Sequence, residues 1–207
     1  MPWRMSKRVL DIVAAAAGLV LLSPLLALIA VWIKVDSPGP ILFRQVRVGR
    51  NGRHFRIHKF RTMVVDAESR GKRLSVAGDA RVTRSGAVLR RYRLDELPQL
   101  VDVLRGDMSL VGPRPEVPEY VARYPEDVRR IVLSVRPGIT DRASIEFRNE
   151  ADILSDSPDP ERTYVDVIIP KKLQYYQEYV RERTFWGDVR LIWATLAALT
   201  SGGGGRE

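Results

Sequence analysis

The residues best suited to chemistry in this chain are two adjacent carboxylates, Asp95 and Glu96. The stretch before them is dense in arginine, at Arg81, Arg84, Arg90, Arg91 and Arg93. Carboxylates can act as acids, bases or nucleophiles, and neighbouring guanidinium groups can neutralise an anionic ligand. The pair therefore indicates a site for an anionic substrate. Without this arginine-rich stretch it would indicate only a solvated helix start.

Composition limits the chemistry further. The chain has 207 residues and a net charge of +9, which predicts an anionic partner such as nucleic acid, anionic lipid or a phosphorylated substrate. It has no cysteine, so disulfides, thiol nucleophiles and cysteine zinc sites are excluded. Its histidines are His54 and His58, too few for a histidine metal cluster. Catalysis must therefore rest mainly on carboxylates, arginines and lysines.

The residues around the carboxylate pair predict a short helix that would position it. Apolar residues recur at the spacing of one helix face, at Leu97, Leu100, Val101 and Leu104. Asp95 stands where free backbone N–H groups favour an N-cap, and Pro98 is tolerated in a first turn. Gly106 follows as the expected C-terminal cap. We therefore expect Asp95 to cap a helix that ends at about Arg105.

The apolar segment from Ile12 to Ile33 carries no charge and is long enough to cross a bilayer. Basic residues flank both ends, which opposes a single span under the positive-inside tendency. Ser23-Pro24 lies near its middle, where proline kinks a helix, and each limb of about 11 residues reaches about 17 Å, or one leaflet. We expect a re-entrant membrane hairpin over residues 1–36, bent at Ser23 and Pro24. A spanning helix and a buried core helix are the alternatives.

The remainder predicts a mostly helical α+β fold, with a cytoplasmic catalytic domain over residues 37–184. Asn51-Gly52 between two suitable runs predicts a β-hairpin of residues 41–48 and 54–60, and a short strand is expected after Met108. Helices are expected at residues 64–73, 85–92, 117–133 and 163–183, the last broken near Pro170, with a loop at 74–83. The tyrosines of the last of these helices predict packing rather than a ligand cage.

Several cations outside the arginine-rich stretch are candidates for phosphate binding. Lys59 lies at the end of a predicted strand and Arg61 directly follows it, and a solvated strand end is the alternative interpretation. Proline on both sides of Arg114 restricts its backbone, although a Pro-rich connector with a surface arginine has the same pattern. Arg136 precedes Pro137-Gly138, which predicts a tight turn whose N–H groups are free for a nucleotide or phosphate.

The end of the chain predicts one more helix, over residues 185–200. Phe185, Trp186 and Trp193 suit the membrane interface, where indole rings prefer to lie, and core packing is the alternative. The glycine-rich residues 201–207 are expected to form a disordered tail.

Taken in order, these motifs resemble the bacterial sugar transferase family, the monotopic polyprenyl-phosphate phosphoglycosyl transferases. The resemblance runs from about Lys7 to about Thr200. Its motifs are Lys7-Arg8-Val9-Leu10-Asp11, Ser23-Pro24, Ser37-Pro38-Gly39-Pro40, Lys59-Phe60-Arg61-Thr62-Met63, Leu94-Asp95-Glu96-Leu97-Pro98-Gln99, Ser109-Leu110-Val111-Gly112-Pro113-Arg114-Pro115 and Arg136-Pro137-Gly138-Ile139-Thr140.

The resemblance implies transfer of a sugar-1-phosphate from a UDP-sugar to undecaprenyl phosphate, with release of UMP. It implies that Asp95 is the nucleophile of a phosphosugar-aspartyl intermediate, and that Asp95 and Glu96 hold Mg²⁺ or that Glu96 manages the acceptor's proton. The candidates for neutralising or binding the donor are Lys59, Arg61, Arg90, Arg91, Arg114, Arg136, Pro137 and Gly138.

The resemblance also implies a setting for the protein. The chain is expected to be a minimal catalytic form in the bacterial inner membrane, in contact with lipid, with its site on the cytoplasmic face. It would catalyse the first membrane step of bacterial glycoconjugate synthesis, without a nucleic-acid partner. The sequence leaves the oligomeric state open.

One loop departs from the common family form. After Arg136–Thr140 that form continues with Gly, an aromatic residue or Leu, Ala and Gln, whereas this chain has Asp141-Arg142-Ala143-Ser144. We expect uridine or sugar contacts in this loop, so the departure leaves the donor sugar undetermined.

A basic, membrane-anchored protein that binds nucleic acid or anionic lipid is the competing hypothesis. The net charge of +9 supports it. The aromatic residues that would stack on bases are, however, not interleaved with the arginines, which instead crowd the carboxylate pair.

Overall fold

A computed structural model describes residues 2–67 and 74–200, and it has the mostly helical α+β fold with small sheets that the sequence predicts. The α-helices are α1 (Pro2–Leu21), α2 (Ser23–Asp36), α3 (Arg84–Arg91), α4 (Leu100–Arg105), α5 (Pro118–Val121), α6 (Glu126–Val132), α7 (Arg142–Glu146), α8 (Glu150–Ser155), α9 (Pro160–Thr163), α10 (Ile169–Glu182) and α11 (Phe185–Thr200). The strands are β1 (Leu42–Phe43), β2 (Val46–Val48), β3 (His54–Arg56), β4 (Lys59–Phe60), β5 (Ser109–Val111) and β6 (Gly138–Thr140).

The first two helices form the apolar N-terminal element. α1 and α2 meet at Leu22, and the pair is bent by 62°. Pro24 lies in the first turn of α2, and the Ser23 hydroxyl donates to the carbonyl of Val20 at 2.8 Å. Within residues 2–67 and 74–200, no single helix has the length and hydropathy to cross a membrane, whereas this bent pair meets that test jointly. The bend lies where the sequence predicts it.

The predicted β-hairpin is confirmed, and it forms in two pieces. β2 pairs antiparallel with β3, and β1 pairs antiparallel with β4, so the break falls at Arg44 and Gln45. Asn51 and Gly52 make the turn with φ angles of 58° and 78°, a left-handed conformation that Asn and Gly tolerate best. The hairpin therefore returns the chain to β4, which carries Lys59.

The prediction for the segment between β4 and α3 is confirmed only in part. Residues 65–67 form turns, residues 74–83 form a loop, and the rest of the helix predicted over 64–73 lies outside the described residues. α3 forms as predicted, because the Thr83 side chain accepts a hydrogen bond from the N–H of Gly86 at 3.0 Å and caps the helix.

The turn that carries the carboxylates differs from the prediction. Asp95 is not an N-cap; it lies inside a 3-10 helix (Leu94–Gln99) that follows Arg93 and leads into α4. The carboxylate of Asp95 forms an ion pair with Lys59 instead of accepting from backbone N–H groups. The 3-10 turn also changes the helix phase, so Val103 is buried and Leu104 is 36% exposed.

The predicted C-terminal cap of α4 is confirmed, whereas the predicted tight turn at Pro137-Gly138 is wrong. Gly106 ends α4 with a φ of 85°, as predicted. Pro137-Gly138 forms no tight turn, because Gly138 begins β6, which pairs in parallel with β5. The N–H of Gly138 donates to the carbonyl of Pro113 at 3.0 Å, so it is not free for phosphate. A Cβ on Gly138 would lie 2.1 Å from the nitrogen of Gly112, which explains the need for glycine.

Three clusters of buried apolar side chains connect these elements. The largest packs α5, α6 and α10 together around Val48, Tyr120, Val132, Leu173 and Tyr176. A second packs α1 against the hairpin and α4 through Ala15, Phe55, Val103 and Met108. A third packs α2 against α3 and β4 through Ile33, Leu89 and Phe60. The N-terminal helices therefore rest directly on the elements that flank the carboxylate pair.

The C-terminal helices follow the prediction with one irregularity. A π-helix (Tyr164–Ile168) precedes α10 and ends just before Pro170, where a break is expected. Tyr164 is buried in the largest cluster, which confirms packing for this tyrosine.

The single helix predicted over residues 117–133 forms two short helices, α5 and α6. Trp186 and Trp193 of α11 are 70% and 68% exposed, so core packing is wrong for both. The predicted tail lies outside the described residues, and the proposed domain boundaries stay a prediction.

Candidate active site

The two carboxylates are buried at the start of the 3-10 helix. Asp95 is 2% exposed and Glu96 is 5% exposed. Burying a carboxylate is costly unless cations or hydrogen-bond donors compensate its charge. The basic groups around the pair therefore decide whether it stays ionised.

Lys59, at the end of the hairpin, reaches both carboxylates. Its Nζ lies 2.7 Å from Oδ2 of Asp95 and 3.6 Å from Oε1 of Glu96. The lysine side chain is 25% exposed, more than the side chain of either carboxylate. The structure therefore brings together three residues that the sequence selected.

Arg114 binds Glu96 through both terminal nitrogens of its guanidinium group. Nη1 lies 3.3 Å from Oε2, and Nη2 contacts Oε1. Burial alone would raise the pKa of Glu96, but Arg114, Lys59 and Arg93 together hold that pKa well below its ordinary value. Glu96 in turn raises the pKa of Arg114. The arginine between two prolines is thus a fixed partner of the site, and the reading as a surface connector is wrong.

Arg93 connects the carboxylate pair to a second segment of the chain. Its Nη1 lies 3.4 Å from Oε2 of Glu96, and its Nη2 donates to the carbonyl of Ser144 at 3.2 Å. The Arg93 backbone is left-handed, with φ 52° and ψ 24°, a conformation that costs energy for a residue with a Cβ. Sequence reasoning placed Arg93 in the arginine-rich stretch but did not select it as a binding residue, because no local signal marks the backbone geometry.

Arg90 and Arg91 lie on α3 and line the same cavity as Glu96. Arg90 donates to the hydroxyls of Thr62 at 2.9 Å and Ser75 at 2.6 Å. Burial lowers the pKa of Arg90, and the nearby Asp95 opposes this effect. Arg91 is exposed. Both arginines of this helix therefore line the cavity that Glu96 lines, and Arg90 is held there by two hydroxyls.

Other candidates lie elsewhere. Arg61 is buried and donates to the backbone carbonyls of Ser37, Pro38 and Pro40, at 2.9, 2.8 and 2.6 Å. It therefore ties the segment after α2 to β4. Arg136 donates to the carbonyl of Gly106 at 2.8 Å and is not among the residues that line the cavity. Pro137 and Gly138 lie at the pairing of β5 and β6 described above. The structure therefore does not bring the predicted candidates Arg61, Arg136, Pro137 and Gly138 to the carboxylates.

A cavity of about 1330 Å³ opens beside the carboxylate turn. Its charged lining includes Glu96, Arg90, Arg91, Arg93 and Arg148. Its apolar lining includes Leu97, Leu100, Leu110, Ile139, Ile192 and Leu196. Asp95 and its partner Lys59 are not among the residues that line the cavity. The cavity therefore offers cations and apolar surface within one space next to the buried carboxylate pair.

The carboxylates suit a divalent cation only in combination with other ligands. Within residues 2–67 and 74–200, no group of three or more acidic or histidine side chains could hold a metal ion. Mg²⁺ in phosphoryl-transfer sites commonly uses one or two carboxylates together with substrate phosphates and water. Asp95 and Glu96 fit that arrangement, in which most ligands come from the substrate.

Sequence comparison decides the family. The model of the family described as Bacterial sugar transferase matches residues 3–202. The chain belongs to this family. The resemblance inferred from its motifs is therefore confirmed.

Curated relatives of this bacterial sugar transferase are similar over most of the chain. It is 40% identical over 202 residues to the UDP-N-acetylgalactosamine-undecaprenyl-phosphate N-acetylgalactosaminephosphotransferase of Aeromonas hydrophila, covering 97% of this chain and 45% of the relative. It is 38% identical over 196 residues to the UDP-glucose:undecaprenyl-phosphate glucose-1-phosphate transferase of Escherichia coli K12, covering 93% and 40%. A protein of the same description from Caulobacter vibrioides is 38% identical over 205 residues, covering 93% and 69%. The chain thus spans less than half the length of the first two.

Proposed function

We propose that this sugar transferase moves a sugar-1-phosphate from a UDP-sugar to undecaprenyl phosphate and releases UMP, as the first membrane step of bacterial glycoconjugate synthesis. One observation carries the proposal: a buried, cation-compensated carboxylate pair adjoins a cavity with charged and apolar linings. An anionic diphosphate suits the charged lining, and a lipid acceptor suits the apolar lining. The names of the two relatives, which mention a UDP-sugar and undecaprenyl phosphate, agree with the proposed donor and the proposed acceptor.

In the proposed mechanism Asp95 is the nucleophile. An oxygen of its carboxylate attacks the β-phosphorus of the donor, the bond to the oxygen that bridges the two phosphates breaks, and UMP leaves with that oxygen. The product is an acyl phosphate that joins Asp95 to the sugar phosphate. An oxygen of undecaprenyl phosphate then attacks the same phosphorus, and the Asp95 carboxylate leaves. Each step breaks one phosphorus–oxygen bond and forms another.

Lys59 would control access to the nucleophile. Its ammonium lies 2.7 Å from Oδ2 of Asp95, and the lysine side chain is 25% exposed. A donor diphosphate offers stronger negative charge than one carboxylate, so Lys59 can move to the phosphate as the phosphate arrives. This exchange would expose the Asp95 oxygen at the moment when the β-phosphorus is in reach.

Glu96 would act as an ionised anchor rather than as a general base. Arg114, Lys59 and Arg93 hold its pKa below the ordinary value, and a base works best when its pKa lies near the operating pH. Asp95 and Glu96 would hold Mg²⁺ together with donor phosphate oxygens. When bound, this ion would neutralise part of the diphosphate charge.

The membrane setting follows from the N-terminal element. The bend of 62° between α1 and α2 supports a re-entrant hairpin that enters and leaves on one face. Val20, Leu21 and Leu28, which flank the bend, are all more than two-thirds exposed, as a lipid-facing surface requires. α1 and α2 pack on the site elements, so the hairpin would hold the cavity at the cytoplasmic surface of the inner membrane, where the acceptor's phosphate lies.

The proposal is tested with a panel of UDP-sugars and undecaprenyl phosphate, by measuring UMP. Wild type should release UMP from at least one donor, and Asp95→Asn should release none above background, because an amide cannot replace the nucleophile. Asp127→Asn, an exposed aspartate on α6, is the matched control and should keep full activity. Absence of UMP from every donor with wild type, or turnover by Asp95→Asn, would contradict the proposal.

A further inference from the structure

The segment from Asp141 to Asp152 forms one wall of the cavity that contains Glu96. Ser144, Ile145, Arg148 and Asp152 of this segment are among the residues that line it. The segment begins at the position where the chain departs from the common family form. The wall is therefore built from the part of the sequence that the family motifs do not explain.

Arg148 differs from Arg90 and Arg93, which line the same cavity, in having no hydrogen-bond or ion-pair partner within the described residues. Arg90 is held by two hydroxyls, and Arg93 is shared between a carboxylate and a carbonyl. Within residues 2–67 and 74–200, Arg148 has no hydrogen bond or ion pair, and its side chain is exposed to the cavity. A guanidinium group that lines a cavity without a partner is available for a charge-assisted, bidentate bond to a phosphate group.

The wall that carries Arg148 is fixed to the carboxylate turn by a chain of polar contacts. The Asp141 carboxylate, 3% exposed, accepts from the N–H of Ser144 at 2.9 Å and from its hydroxyl at 2.5 Å. The carbonyl of Ser144 accepts from Arg93, which also pairs with Glu96. Asp141 thus sets the start of α7, and Arg93 sets the distance from α7 to Glu96.

A second contact fixes the far end of the wall. The N–H of Ala77, in the loop before α3, donates to the carbonyl of Ala151 in α8 at 3.2 Å. The same loop holds Arg90 through Ser75. Arg148 therefore lies between two contacts that connect its segment to the arginines and carboxylates of the site.

We propose that Arg148 binds the diphosphate of the nucleotide donor and that Asp141 is the positioning residue that holds Arg148 in place. This inference rests on the proposed function for the identity of the donor. The role of Asp141 explains the departure from the family form: an aspartate cap replaces glycine at the start of the wall and supplies two hydrogen bonds to Ser144.

Arg148→Ala is the first test. The KM for the UDP-sugar should rise at least tenfold, as expected for losing a hydrogen bond to a charged group, while the KM for undecaprenyl phosphate stays within about twofold. Arg142→Ala is the matched control, because Arg142 lies on the same segment but faces the Tyr175 ring at 5.1 Å and Glu178 at 3.6 Å. It should change neither KM.

Binding of UDP alone separates this inference from the proposed function. Calorimetric titration with UDP should show at least tenfold weaker binding to Arg148→Ala than to wild type or Arg142→Ala. This result is expected even if no UDP-sugar in the panel supports turnover. Equal UDP affinity in Arg148→Ala and wild type, or an equal loss in both arginine variants, would overturn the assignment.

A double-mutant cycle tests the positioning role of Asp141. Asp141→Ala should raise the donor KM in wild type but add little in the Arg148→Ala background, because both changes remove the same contact. Asp141→Asn should restore most of the affinity, since an amide oxygen can still cap α7. A fall in melting temperature without a change in donor KM would assign Asp141 a structural role only and would overturn the coupling.

Discussion

Asp95 and Glu96 are adjacent in sequence, yet their surroundings separate their roles. Asp95 has one close cation, Lys59, which is partly exposed and can move. Glu96 is held by three cations, and the bidentate bond to Arg114 fixes its orientation. A nucleophile must be released at the right moment, whereas an anchor must stay ionised and fixed. The contacts thus favour Asp95 as the reacting group and Glu96 as the fixed one.

Removing Arg114 should show how far the pKa of Glu96 depends on this arginine. In Arg114→Ala the buried Glu96 loses its strongest partner, so its pKa should rise and the free energy of unfolding should fall by about 3 kcal/mol. In wild type the lowered pKa means that Glu96 stabilises the fold at all pH values above its ordinary range, and this stability is lost only as pH falls through the lowered value.

The measurement for this prediction is the pH profile of UMP release. The acid side of the Arg114→Ala profile should move to higher pH, and activity at neutral pH should fall at least about 100-fold. Arg130→Ala, an exposed arginine on α6, serves as the control. An unchanged acid limb in Arg114→Ala would show that Arg114 does not set the ionisation of Glu96.

At the scale of elements, the pieces with local signals were predictable and the pieces set by tertiary contacts were not. Asn51-Gly52 and Gly106 have the left-handed backbones that their residue types predict. The N-cap assignment of Asp95 failed because Lys59, distant in sequence, takes its carboxylate. The Pro137-Gly138 turn failed because β6 pairs with β5, and that pairing uses the N–H of Gly138.

The difference between local signals and tertiary contacts also explains which site residues could be predicted from the sequence. Lys59 and Arg114 could be selected because a strand end and flanking prolines mark them locally. Arg61 has the same kind of local signal, but its guanidinium group donates hydrogen bonds to three backbone carbonyls just after α2. Arg148 was not selected, because its place in the cavity follows from how α7 and α8 pack. Only the departure at Asp141 indicated that this segment was unusual.

The bent helix pair makes a separate prediction about topology. The chain has no cysteine, so Met5→Cys and Pro40→Cys each introduce a unique thiol on either side of the apolar element. Because the proposed re-entrant hairpin returns to its own face, an impermeant maleimide should label both positions only from the cytoplasmic side. Labelling at position 5 from the periplasmic side of intact cells would establish a spanning helix instead.

At the scale of the whole molecule, one buried polar network joins the two ends of the described chain. Lys7 of α1 forms an ion pair with Asp188 of α11 at 2.6 Å and also donates to the carbonyl of Val111. The hydroxyl of Tyr179 donates to Asp188 at 3.0 Å, and Asp11 accepts from Ser109 at 3.1 Å. The helices α1 and α11 and the strand β5 are therefore held by shared hydrogen bonds.

Breaking this network should loosen the whole fold. Burial raises the pKa of Asp188, and Lys7 opposes that effect. Lys7→Ala would leave the carboxylate without its cation, so the free energy of unfolding should fall by about 3–5 kcal/mol, seen as a lower melting temperature in detergent. Lys7→Met with Asp188→Asn should be less damaging than Lys7→Ala, because no buried charge remains. Equal melting temperatures for wild type and Lys7→Ala would show that the ion pair does not stabilise the protein.

The most direct test of the account is the amount of UMP released before any acceptor is present. With the UDP-sugar that supports turnover, wild type should release at most one equivalent of UMP per enzyme and gain the mass of one phosphosugar. Asp95→Asn should release none. Release of UMP only after undecaprenyl phosphate is added would contradict Asp95 as a covalent nucleophile and would indicate a single displacement.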